Sequence, residues 1–194
     1  MTLDAPTAAG FFGKLPARGD FVRAGLPRDF VDSWDGWWQR MLPGSRDRLG
    51  EGWTEAWLQA PIWRFALPPG LCGAGAVLGL WMPSVDQAGR FFPLTIAMTA
   101  RSLATLLRTG GGFLDVAEAA GLAAVQNDMP PDTLAARIAT AAEAPDAATA
   151  APMPEPGAAT WWTDGSPIVA AQTVSGHALP DVDAFTTMIA GLIV

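Results

Sequence analysis

The stretch "RDFVDSWDGWWQRML", residues 28–42, constrains the fold more than any other part of the chain. Phe30, Trp34, Trp37, Trp38 and Met41 recur at i, i+4, i+7, i+8 and i+11, one broad apolar face of a helix. Asp29 is placed to cap this helix and Pro43-Gly44 to end it. The chain has nine tryptophans and no tyrosine, so tryptophan packing must dominate its core. Helical or strand periodicity assigns Trp34, Trp37, Trp57 and Trp63 to that core. The adjacent pairs Trp37-Trp38 and Trp161-Trp162 cannot aim both rings one way, so one ring of each is expected at the surface.

Ahead of the helix, "GFFGKLPARGDFVRAGLP" (residues 10–27) is dense in Gly and Pro and reads as a short extended piece and an ordered loop. "SRDRLGEGWTEAWLQA" continues as a glycine-broken helix. "IWRFAL" (Ile62 to Leu67), "GAVLGLWM" (Gly75 to Met82) and "FPLTIAMT" read as strands. Residues 102–142 are Ala/Leu-rich and helical, with breaks at "TGGG" and "MPPD", and 143–159 form a Pro/Ala-rich flexible excursion. "TWWTDG" and "PIVAAQTV" follow as a strand pair, and "DVDAFTTMIAGLIV" as a terminal helix capped by Asp181 or Asp183. This order suggests a mixed sheet of about five strands with helices on both faces.

Composition removes several classes of function. A net charge of −7 counts against non-specific nucleic-acid binding, which needs a basic face. Residues 1–101 carry ten Lys/Arg and nine Asp/Glu, whereas 102–194 carry two and ten, so arginines available to a partner lie in the first half. The longest apolar run, Leu71 to Met82, is well short of the roughly 20 residues of a membrane-spanning helix. The N-terminus has no signal-peptide pattern, and the lone Cys72 fits a reducing cytoplasm and a small buried hydrophobe.

Catalytic patterns are thin. A serine nucleophile needs a base, and the one histidine is His177. Ser84, in "WMPSVD", lacks a G-x-S-x-G elbow, which leaves a Ser84/His177 hydrolase as the weakest reading. One His and one Cys cannot build a zinc site, and no calcium loop is present. The Gly13-Lys14 pair fails as a phosphate loop, because Ala8 and Leu15 stand where that motif needs Gly and Ser/Thr. No metal or cofactor is expected. Arg64 lies in an apolar strand and needs an anionic partner. Arg64, Arg90, Asp20 and Asp86 are expected to form one polar network joining the N-terminal loop to "PSVDQAGRFFPL", Pro83 to Leu94.

Three segments in order, "GFFGKLPARGDFVRAGLPRDFVDSWDGWW", "APIWRFALPPGLCG" and "MPSVDQAGRFFPLT", followed by a late "WW", resemble the TagF family of type VI secretion accessory proteins. The resemblance implies a cytoplasmic, single-domain three-layer α/β/α sandwich spanning residues 1–194. It implies a non-enzymatic, post-translational negative regulator of secretion-system assembly, acting through the forkhead-associated scaffold protein. Some family members carry a serine/threonine phosphatase domain, for which this chain lacks both the length and the metal motifs. Lys14, Arg18, Asp20, Arg64, Ser84, Asp86 and Arg90 are the candidate partner-binding or network residues. A small-ligand sensor, with its pocket between sheet and helices, is the alternative.

Overall fold

The computed structural model describes residues 8–142, 152 and 155–191. The longest helix, α1 (Arg28–Leu49), carries the tryptophan stripe. The helix α2 (Trp53–Gln59) follows after one 3-10 turn. A meander of β3 (Trp63–Leu67), β4 (Ala76–Met82) and β5 (Leu94–Ala100) forms the middle of the sheet. Before them come β1 (Ala8–Gly13) and β2 (Val22–Ala24); β6 (Ala159–Thr163) and β7 (Gln172–Gly176) come late. The order across the sheet is β2-β1-β5-β4-β3-β6-β7.

The sheet therefore has seven strands and not about five, and every neighbouring pair is antiparallel and not mixed. The two extra strands are β1, which overlaps the short extended piece of the Gly/Pro-dense segment, and β2, which lies in what reads as its loop. The glycines of β1 are there because the backbones come close. A Cβ on Gly10 would lie 1.9 Å from the Ala24 carbonyl oxygen, and one on Gly13, at φ +142°, 1.9 Å from that of Pro93.

Strand alternation sorts the buried side chains into two clusters. Trp63, Phe65, Leu67, Trp81 and Trp161 join α1, α2 and the last helix, α6 (Val182–Ala190). Leu78, Leu80, Ile96, Met98 and Trp162 join α3 (Leu103–Thr109), α4 (Gly111–Gln126) and α5 (Pro131–Ala142).

All nine tryptophans are buried, none more than 8% exposed, so neither adjacent pair offers a ring to solvent. The buried arc of α1 is wide enough for Trp37 and Trp38 together because α2 and α6 also pack on the helix. Trp161 and Trp162 point to opposite faces of β6, and both faces are covered. Indole N–H groups pin this layer down. Trp34 donates to Thr95 Oγ1 at 2.9 Å, Trp63 to the Met188 carbonyl at 3.0 Å and Trp37 to that of Pro180 at 2.8 Å. Trp34 also stacks on Trp161, with centroids 5.9 Å apart and planes within 7°.

Pro43-Gly44 does not end α1, which runs on to Leu49. Pro43 is exposed, so the carbonyl it leaves without an amide partner can take water. Gly44 instead lets α6 approach, since a Cβ there would meet both Val182 methyls at 2.7 Å. Asp29 does not cap the helix; its carboxylate accepts from the Ala74 amide at 2.7 Å in the β3–β4 turn. Asp181 does cap α6, through the Ala184 amide at 2.9 Å. Of the 143–159 segment, residues 143–151, 153 and 154 lie outside the described ones, and Ala159 already belongs to β6. No described helix is long and apolar enough to cross a membrane.

Trp34 touches both the sheet and its neighbouring rings, so Trp34→Ala should cost about 3–5 kcal/mol. Urea denaturation of the variant against wild type measures this, and a loss under about 1 kcal/mol would contradict the role given to the ring.

Candidate functional site

After β4 the chain folds back as a short hairpin before entering β5. Val85 and Phe91 bridge its arms, and the Phe92 amide donates to the Ser84 carbonyl at 3.2 Å. At the tip the Asp86 amide donates to the Arg90 carbonyl at 3.1 Å, and Gly89 turns the chain at φ +79°. The Asp86 side chain points inward and has no solvent exposure. Its Oδ1 accepts from the amides of Ala88 and Arg90, each at 2.9 Å. Its Oδ2 accepts from Arg90 Nε at 2.7 Å and Lys14 Nζ at 2.8 Å.

Lys14 brings the other loop with it. Its amide donates to the Pro93 carbonyl at 3.3 Å, and its own carbonyl accepts from Ser84 Oγ at 2.8 Å. Further out, the Gln87 amide donates to the Arg18 carbonyl at 2.9 Å, and Arg90 Nη2 donates to the Gly19 carbonyl. Phe12, Phe21 and Phe92 pack as one aromatic cluster, with the Lys14 ammonium 5.1 Å from the Phe21 centroid. Residues 14–21 and 83–93 thus behave as one piece.

Burial alone would raise the Asp86 pKa. The hydrogen bonds from Lys14 and from the backbone and side chain of Arg90 outweigh it and hold the carboxyl well below the usual carboxylate range.

The expected network forms only in part. Asp86 and Arg90 meet, and the buried cation that joins them is Lys14, one of the candidate residues but not one of the four expected in the network. Asp20 is exposed and outside the cluster, and Arg18 contributes its carbonyl while its side chain faces solvent. Arg64 is not part of it. Strand alternation turns Arg64 to the α4 face, where Nη2 meets Glu118 at 2.6 Å and Nη1 meets Asp164 at 2.8 Å. Burial lowers its pKa, but these two carboxylates outweigh that and raise it. Glu118 and Asp164, far away in sequence, carry no local signal that would have matched them to Arg64.

The Ser84/His177 pair does not assemble. Ser84 follows the end of β4 and His177 the end of β7; the antiparallel registers place these at opposite ends of the sheet, three strands apart. The Ser84 hydroxyl serves the Lys14 carbonyl, and His177 Nδ1 lies 3.3 Å from the Gly157 carbonyl. Burial, with Asp29 nearby, pushes the Cys72 thiol up to about 12, which leaves it unreactive. No cluster able to hold a metal ion occurs among the described residues. The sheet faces beside the two loops are filled by buried side chains.

Removing the Asp86 charge leaves Lys14 buried without a counter-ion, so Asp86→Asn should cost about 3–5 kcal/mol near neutral pH. Because folding lowers the Asp86 pKa, its stabilisation is full above the unfolded value of about 3.9 and is lost as pH falls through and below it. Denaturation midpoints between pH 7 and pH 3 should therefore fall more steeply for wild type than for Asp86→Asn. Parallel curves would contradict this assignment.

Comparison with known proteins gives three findings. Residues 10–141 match the model of the TagF N-terminal domain, type VI secretion system-associated. The crystal structure of PA0076 from Pseudomonas aeruginosa PAO1 is similar, with a TM-score of 0.82 and 33% identity over 95% of this chain and 94% of that one. A search of curated proteins gives no significant match. The chain belongs to the TagF N-terminal domain family and is a type VI secretion-associated protein.

Proposed function

We propose that this protein is a cytoplasmic, non-enzymatic negative regulator of type VI secretion assembly that acts after translation by binding the forkhead-associated scaffold. The family match supports the secretion link. The observation that carries the binding mode is Phe21. It is 50% exposed, yet its ring is held on Phe12 and Phe92, with centroids 5.6 and 4.7 Å away, and the Lys14 ammonium lies 5.1 Å from its centroid. An aromatic side chain already fixed in a rigid loop loses little freedom on binding, the property of an interface anchor. Arg18, Asp20 and Gln87 are exposed on the same two loops and supply a polar rim. The division of core residues between two sets of helices supports the three-layer arrangement proposed for this single domain.

Calorimetric titration of the purified protein with the scaffold tests this reading. Binding in the micromolar range or tighter is expected, with Phe21→Ala and Arg18→Glu each weakening it by about tenfold or more. Lys14 is the wrong position to probe, because its loss would disturb the fold. No binding by wild type, or no change in both variants, would overturn the reading.

A further inference from the structure

A β-sheet leaves backbone groups unpaired along its outermost strands, which here are β2 and β7. The two edges are built differently. β2 is three residues long and carries exposed Arg23 at its centre, and both shortness and charge discourage another strand from pairing. β7 runs for five residues, "QTVSG", with no charge and no proline. Its register with β6 is continuous from Gln172 to Gly176, with no bulge to turn the edge away. Thr173, Val174 and Ser175 are exposed. Alternate residues of such a strand aim their N–H and C=O groups outward, and no described strand lies beyond β7 to meet them.

The face behind this edge has room for side chains. Val174 stands opposite Trp161 in the register, and so on the face that α6 covers. On that face a cleft of about 330 Å³ lies between β7 and α6, with Trp161, Val174, Ala178, Pro180, Ala184 and Met188 among its walls. Val174 leaves 41% of its surface to solvent. A strand laid along β7 would set every second side chain beside Val174, on the face where the cleft lies.

Charge selects the occupant. Residues 155–191 contain Glu155, Asp164, Asp181 and Asp183 and no Lys or Arg. Arg64 and Arg48, from other elements, pair with Asp164 and Asp183. Glu155 and Asp181 are exposed and meet no cation among the described residues. Both belong to the Gly176 end of the edge. Glu155 closes the turn before Ala159, which pairs with Gly176, and Asp181 follows Pro180 of the cleft wall. A second copy pairing through its own β7 would bring no cation from this segment to meet them.

We propose that β7 accepts an extended segment of another protein as an eighth strand of the sheet. That segment carries aliphatic side chains at alternate positions for the cleft and Lys or Arg beside them for Glu155 and Asp181. The site lies at the opposite edge of the sheet from the Phe21 loop and does not depend on the scaffold reading.

Fluorescence polarisation with labelled peptides tests it. The probe is a run of alternating Val and Thr with two lysines at each end. One companion has glutamates at its ends, and another keeps the lysines but has its core amides N-methylated. The lysine-ended probe should bind, and the glutamate-ended one should bind about tenfold more weakly or worse. The N-methylated peptide should not bind, because it cannot donate to β7. Hydrogen exchange should show the probe slowing the outward amides among Gln172–Gly176 and not those of Val22–Ala24. Val174→Lys puts a charge in the middle of the edge and should abolish binding, and an unchanged melting temperature will show that the variant folds. The two companion peptides decide the matter on wild type if it does not. No binding, equal binding of lysine and glutamate ends, binding of the N-methylated peptide, or unaltered exchange in β7 would overturn the proposal. A dimer in sedimentation that Val174→Lys disperses would give the edge to a second copy and overturn the choice of occupant. Peptide binding without scaffold binding would remove the functional reading and keep this site, and scaffold binding without peptide binding would do the reverse.

Discussion

A carboxylate shielded from water, that of Asp86, holds the two motif loops of this protein together. It accepts four hydrogen bonds, two from its own turn and two from the cations Lys14 and Arg90. A buried carboxylate is costly unless charge and hydrogen bonds compensate it, so the site works only with all its partners in place. The demand is mutual. Lys14 is nearly buried and needs Asp86 as much as Asp86 needs Lys14. Segments 72 residues apart in sequence therefore cannot move separately without exposing a charge mismatch.

The tryptophan layer supports this cross-link from below. Trp57 donates to the Ser84 carbonyl at 3.3 Å, and Phe92 packs against Trp38 with centroids 6.1 Å apart. Trp53 reaches Phe91 on the other arm. The hairpin is thus fastened to α1 and α2 on one side and to the N-terminal loop on the other. What remains outward on this rigid base is an aromatic ring, Phe21, and a cleft whose walls include Arg46 and Trp53. A base that does not rearrange allows exposed groups of this kind to serve recognition at low entropic cost.

Much of this was legible in the sequence because the signals are local. The spacing of Phe30, Trp34, Trp37 and Trp38 marks α1, and alternation marks β3 to β5 as strands. Asp86 and Arg90 are four residues apart and readable as a pair. The sequence marks β1 only as a short extended piece and not as a sheet strand, since its glycines answer to backbones that come close only in the folded sheet. Pro43-Gly44 reads as a helix end for the same kind of reason: Gly44 serves the contact with α6, which lies far along the chain. The partners of Arg64 were out of reach because β3 alternation fixes a face but not which helix covers it. Both rings of each tryptophan pair are buried because helices cover more of the molecule than periodicity alone can reveal.

The claim at the centre of this account is that residues 14–21 and 83–93 open together and only together. Residue-resolved amide hydrogen exchange tests it directly at Lys14, Gln87, Ala88 and Arg90, whose N–H groups bond to Pro93, Arg18 and Asp86. The account predicts that all four amides exchange with one common, high opening free energy in wild type. Free exchange at Gln87, or opening free energies that differ between the two loops, would contradict it.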